Sequence, residues 1–177
     1  PAEGGLSMPI IDGDSVIYFY STSDTLFYAL HFDGTVKWIY NYNGTGNIGA
    51  ECGAVSEDHI HFVRNTWEFD PHSGSYWCYY HILNKDGALY WQNGGGTYWY
   101  HNELYGSPTI GLDDRVYVVG DSSLINVTQD VKLYAFDDTL VQWTSFLKQG
   151  QSGNIYASTP AIGPDGTIYV ALDDSVY

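Results

Sequence analysis

Apolar and polar residues alternate in short bursts along this chain, and polar turns break the bursts every few residues. In "SVIYFY", "TLFYALHF" and "RVYVVG" the period is two, and Gly, Asp, Asn or Pro bounds each run. Alternation over four to eight positions between such residues is the mark of a half-buried strand. The unit around residue 110 predicts four strands, Thr109–Gly111, Arg115–Val119, Lys132–Phe136 and Val141–Ser145, separated by "LDD", "GDSSLINVTQDV" and "DDT". No stretch of ten or more residues combines a helical period with start and stop signals, so the chain reads as all-β.

The pattern repeats. Trp38, Trp91 and Trp143 lie 53 and then 52 residues apart, and each closes a segment of one kind: "LFYALHFDGTVKW", "YYHILNKDGALYW" and "LYAFDDTLVQW". "SPTIG" at Ser107 returns as "TPAIG", with Pro108 and Pro160 52 residues apart. The second unit diverges: "ECGAVSEDHIHFV" replaces the Ser-x-Pro opening, and an excursion, "RNTWEFDPHSGS", separates its second and third strands. The fourth unit holds only the first two strands and the start of another. Four antiparallel strands per period of this length, without helices, predict a β-propeller rather than a sandwich. About three and a half blades are expected in one domain spanning residues 1–177, over about 7–38, 52–91, 107–143 and 158–177.

"SPTIG...RVYVVG...KLYAFD...VQW" and "STPAIGPDGTIYVALDDSVY" resemble the PQQ-like, quinoprotein-type propeller repeat, whose blades carry a tryptophan-docking motif running from Ala through an acidic or Gly turn to Trp. The motif runs from Ala29 to Trp38 and from Ala135 to Trp143; before Trp91 stands Ile82 where Ala is expected, which predicts looser docking there. The resemblance implies a ring of seven or eight blades. A partial ring leaves an unpaired strand edge, an aggregation liability. The remaining blades of a longer chain, or other copies of this one, are therefore the expected partners.

Charge narrows the partners further. Six Lys and Arg stand against 21 Asp and Glu, for a net charge of −15. So acidic a surface repels phosphate backbones, which argues against nucleic acid. No stretch of 18 apolar residues predicts a membrane span. Few lysines, many Tyr and Gly, and two glycosylation sequons at Asn43 and Asn126 point to an extracellular, cell-surface or periplasmic location. The cysteines, Cys52 and Cys78, are read as a candidate disulfide or as two buried thiols.

Candidate chemistry is sparse. The resemblance to quinoprotein dehydrogenases implies a calcium site beside the quinone, a catalytic Asp and often adjacent cysteines; no adjacent cysteines occur, and no acidic residue stands in a matching context. His59 and His61 in "DHIHF" share a strand face, yet two imidazoles make only part of a zinc site. His72, His81 and His101 add no recognisable spacing, and a surface or strand-packing role is the favoured reading of all five. "IDGDS", "LDDR" and "LDDS" read first as hairpin turns, with a weak surface Ca²⁺ site as the alternative. No cofactor and no catalytic residue are assigned.

The densest aromatic patch is "YWQNGGGTYWYHNELYG". Tyr98, Trp99 and Tyr100, with Tyr105 and with Trp67 and Trp77 of the excursion, form a candidate platform for a sugar or a protein, against the alternative that they fill the space between blades. The expected function is a non-catalytic binding scaffold that presents loops and faces to protein or glycan. The alternatives are a subunit of a self-assembling fibre and a fragment of a quinoprotein dehydrogenase.

Overall fold

A computed structural model describes residues 5–21, 24–42, 53–68, 75–93, 104–122, 129–137, 139–151 and 156–177. The described residues contain strands and turns and no helix. Three consecutive antiparallel sheets have four strands each, in sequence order. The first holds β1 (Ile10–Ile11), β2 (Val16–Ser21), β3 (Leu26–His31) and β4 (Val36–Asn41). The second holds β5 (Gly53–Val55), β6 (His59–Glu68), β7 (Ser75–Asn84) and β8 (Leu89–Asn93). The third holds β9 (Leu104–Ile110), β10 (Val116–Ser122), β11 (Gln129–Asp137) and β12 (Leu140–Gln151). This is the blade-like repeat that the period predicts.

A fourth, partial group follows, with β13 (Ala161–Ile162) on β14 (Ile168–Tyr169) and β15 (Ala171–Leu172) on β16 (Ser175–Val176). Val170, between β14 and β15, exchanges both backbone hydrogen bonds with Tyr177, so the pairing with β16 extends past its ends.

The sheets stack in order because period-two alternation gives each inner sheet two apolar faces. Val16, Tyr18, Tyr20, Phe27 and Ala29 of the first sheet meet Ile60, Phe62 and Leu83 of the second. On the second sheet's other face, Val63, Tyr80 and Ile82 meet Val116, Val118, Tyr134 and Phe136 of the third. Tyr117, Val119, Leu133 and Ala135 then pack on Val170 and Leu172 of the fourth group.

Two expectations change. The excursion of the second unit is mostly strand: β6 and β7 continue their ladder from Arg64 opposite Tyr79 out to Glu68 opposite Ser75. Trp67 and Trp77 therefore lie in strands, opposite Tyr76 and Thr66, rather than in a loop. Thr, Trp and Tyr favour the extended backbone, and polar residues among them conceal the run from an alternation count. β12 runs twelve residues, well beyond the predicted Val141–Ser145, by passing through bulges against β11.

Candidate functional site: the tryptophan row and the first seam

One cross-strand row recurs in every four-stranded sheet. In the first it is Ile10, Tyr18, Ala29, Trp38; in the second Ala54, His61, Ile82, Trp91; in the third Thr109, Tyr117, Ala135, Trp143. Immediately after the third residue of each row the register shifts, between Ala29 and Leu30, Ile82 and Leu83, and Ala135 and Phe136. The extra residue is Lys37, Tyr90 or Gln142, directly before the tryptophan. A bulge re-aims the side chain beside it, and here it delivers each indole to the same place. Ring centroids lie 5.8 Å apart in both Tyr18–Trp38 and Tyr117–Trp143.

Trp38 crosses to the second sheet. Its Nε1 donates to the Lys85 carbonyl at 2.9 Å, in the turn between β7 and β8. The ring lies over Gly87, where a Cβ would stand 2.6 Å from Cδ2 of the indole. Gly87 has φ of +88°, so glycine answers both the turn and the indole. Lys85 is the hub of this seam, since its ammonium also meets the Asp12 carboxylate at 3.0 Å.

Asp12 lies in the β1–β2 turn with its side chain 2% exposed. Its Oδ1 accepts from the amides of Asp14 and Val16, and its Oδ2 accepts from the Tyr18 hydroxyl and from Lys85. Burial alone would raise this carboxyl, but the Val16 amide, Lys85 and Tyr18 outweigh it and hold the group at about 2. Burial and the Asp12 hydrogen bond push Tyr18 up. With four donors on its two oxygens, Asp12 is a structural clamp rather than a base or a metal ligand.

The other acidic turns act alike. Asp113 accepts from the Tyr117 hydroxyl and from Arg115, and Asp173 accepts from Lys148 and the Tyr156 amide. Backbone bonds place Asp12 and Gly111 at equivalent turn positions, Asp12 amide to Val16 carbonyl and Gly111 amide to Arg115 carbonyl. At Gly111 a Cβ would meet Asp113 Oδ1 at 2.5 Å, because the carboxylate two residues on fills the space that Asp12 fills with its own side chain.

In the second sheet His61 replaces the row's tyrosine and Ile82 its alanine. The two are register partners, so a smaller ring on β6 accommodates a larger side chain on β7, and both are buried. His61 Nδ1 lies 2.7 Å from the Tyr80 hydroxyl and Nε2 lies 3.4 Å from Ser56 Oγ. Burial, and then the neighbouring His59, lower its pKa to about 4. Its ring stands 6.2 Å from that of His59, and no group of three or more metal-ligating side chains occurs among the described residues.

A cleft of about 370 Å³ opens at the first seam, lined by Ile11, Asp12, Gly13, Asp14, Val55, Ser56, Glu57 and Lys85. Sequence reading missed Lys85, although "NKDG" against "HFDG" marks the one Lys–Asp–Gly turn. Aligning the units on their tryptophans brings His61 and Ile82 out as paired departures. Of the other predicted residues, Cys52, Asn43, Asn126, Tyr98, Trp99, Tyr100, His72 and His101 lie outside the described residues. Cys78 is in β7, opposite Asn65. No helix among the described residues is long and apolar enough to cross a membrane.

No protein-family model matches the chain, and no curated protein sequence does. Among solved structures it is similar to a protein of unknown function from Bacteroides caccae, at 12% identity with a TM-score of 0.58. The match covers 97% of this chain and 54% of that one, so the chain spans about half the length of that neighbour. The likeness is one of fold.

Proposed function

We propose that the chain is a run of β-propeller blades of the PQQ-like type and works as a non-catalytic, extracytoplasmic scaffold that binds protein or glycan through its open faces and loops. The tryptophan row is proposed as the docking device that holds successive blades. One observation carries the binding reading: the first sheet's outward face is apolar. Ile11, Ile17, Leu30 and Val36 form one cross-strand row on it, and Phe19, Tyr28 and Ile39 form the next. Phe19 and Tyr28 stack at 5.2 Å, and Ile39 is 49% exposed. A contiguous apolar face of this kind marks an interaction surface.

Filament formation is the second reading, because Tyr169, Val176 and Tyr177 leave apolar surface open at the opposite end of the stack. A face that meets a different face on the next copy propagates without closing.

The test is interferometry on the immobilised chain against purified oligosaccharides and proteins secreted by the source organism, with Ile39→Glu as control. Saturable binding of a protein that Ile39→Glu removes, or of a glycan with quenching of tryptophan emission, supports the scaffold. Filaments under negative stain would replace it with the fibre subunit. Quinone absorbance and dye reduction after addition of the quinone with Ca²⁺ would replace it with the dehydrogenase.

A further inference from the structure

The second sheet departs from its neighbours at the second residue of the row. In the first and third sheets that residue is a tyrosine whose hydroxyl donates to a carboxylate of the preceding turn, Tyr18 to Asp12 at 2.8 Å and Tyr117 to Asp113 at 3.0 Å. In the second sheet the ring is His61, and the group at its tip is the Ser56 hydroxyl, 3.4 Å from Nε2. A ring that titrates near neutral pH stands where the others keep tyrosine. A neutral hydroxyl stands where they keep an anion.

His61 is 2% exposed. It shares its strand face with Val63 and is the register partner of Ile82, and that face meets the third sheet across a second seam. Nδ1 lies 2.7 Å from the Tyr80 hydroxyl, and the Tyr80 ring packs 5.3 Å from Phe136 of the third sheet. Tyr80 thus links the imidazole to the facing sheet. Among the described residues the other titratable or charged groups on this side are His59, Tyr80 and Tyr90 of the second sheet, Glu57 and Asp58 of the exposed β5–β6 turn, and Lys132 and Tyr134 of β11.

The flanking seams have ties of another kind. Trp38 and the Lys85–Asp12 pair cross the first, and the Asp12 carboxylate, held at about 2, stays ionised in mild acid. The third is crossed by the Ser107 amide donating to Thr159 Oγ1 at 2.9 Å and by Thr109 Oγ1 donating to the Pro160 carbonyl at 2.6 Å. The Lys148–Asp173 pair joins the same two groups of strands.

We propose that the second seam is an acid-operated latch: a proton taken up by His61 opens it, while the first and third seams stay closed. A protonated imidazole donates from both nitrogens and carries a charge. Among the described residues no carboxylate lies in hydrogen-bond contact with that ring, so the charge is hydrated only when the sheets part. Parting uncovers Val63, Ile82, Val118 and Phe136. Burial, and then His59, lower the closed-state pKa from 6.5 to about 4. The seam is therefore fully closed above about pH 6.5 and loosens as pH falls toward 4. This device stands apart from the scaffold reading, since it holds whatever the chain binds.

The test reads each seam separately with a buried thiol. In a chain carrying Cys52→Ser and Cys78→Ser, the reporters are Val16→Cys for the first seam, Val118→Cys for the second and Val119→Cys for the third, all at buried positions. Each is labelled with a pyridyl disulfide, and its rate is divided by that of the urea-unfolded chain at the same pH. From about pH 7.5 to about pH 5 the Val118→Cys ratio is expected to rise roughly 20- to 30-fold, the factor set by the two pKa values. The other two ratios stay flat, and His61→Gln, which keeps hydrogen-bonding capacity without titrating, abolishes the rise. In the unaltered chain, an apolar fluorescent dye should bind over the same interval and fail to do so in His61→Gln. Equal rises at all three reporters would mean that the chain unfolds as a whole, and would overturn the proposal. So would a flat Val118→Cys ratio, or a rise that survives His61→Gln. His81 is the control, fully buried on the sheet's opposite face and stacked on Phe62 at 4.6 Å. A rise lost in His81→Phe but kept in His61→Gln would place the proton at the first seam instead.

Discussion

Gly34 and Gly87 share a turn geometry and differ in what lies above them, which separates backbone strain from contact with the indole. Alanine at either position meets the left-handed penalty of about 1–2 kcal/mol. Gly87→Ala also drives a methyl into Trp38, which adds about 1–3 kcal/mol of overpacking. Urea midpoints of the two variants should differ by that increment. Equal losses would mean that the indole moves aside without cost. His61 makes a second test. An ordinary imidazole titrates near 6.5 and buried His61 near 4. Between those values the unfolded chain binds a proton that the folded chain refuses. Stability is therefore fully present above about pH 6.5 and falls as pH drops toward 4, by up to about 3 kcal/mol. Urea midpoints measured across pH 4–7 check this directly, because a chain lacking His61 loses that slope.

The repeating row predicts how strands compensate one another. His61→Tyr alone forces a larger ring against Ile82, and Ile82→Ala alone leaves a cavity of the sort that costs about 2–5 kcal/mol. Made together they restore the Tyr–Ala pairing of the flanking sheets. The double variant should be more stable than the sum of the two singles by about 0.5–3 kcal/mol. Additive losses in a thermal double-mutant cycle would show that the two sites do not share space. Alternation and turn residues made most strands legible, because both are local properties of a run. Their lengths were less so. The arm of β6 and β7 has polar residues in its alternation, and β12 is prolonged by bulges, features that only pairing with a neighbouring strand reveals. The acidic turns were legible as turns, whereas their carboxylates' service to the row's tyrosines was not.

The stack as a whole is held against its own charge. Among the described residues three cations pair with carboxylates, and two of these pairs join successive sheets: Lys85 with Asp12, and Lys148 with Asp173. Arg115 with Asp113 stays within one turn. The Lys148 pair is partly exposed and adds little stability, so repulsion among the remaining carboxylates dominates the response to salt. Raising NaCl from about 20 to 200 mM, which shortens the screening length severalfold, is expected to raise the melting temperature in calorimetry. A fall would place more of the stability in the ion pairs than their exposure allows.

The sequence by itself determined the all-β class, four strands to the period, and the recurring tryptophan, since alternation and turn chemistry act within a few residues of each other. Tertiary structure alone decided which of these residues do the joining. Trp38 meets the Lys85 carbonyl across 47 positions of the chain, and Lys85 meets Asp12 across 73. Neither contact leaves a trace in local periodicity. The same holds for His61, whose lowered pKa comes from burial between sheets. It holds again for Trp143, which takes the same register position as Trp38 and whose exposure is set by what packs on it rather than by its own run of sequence.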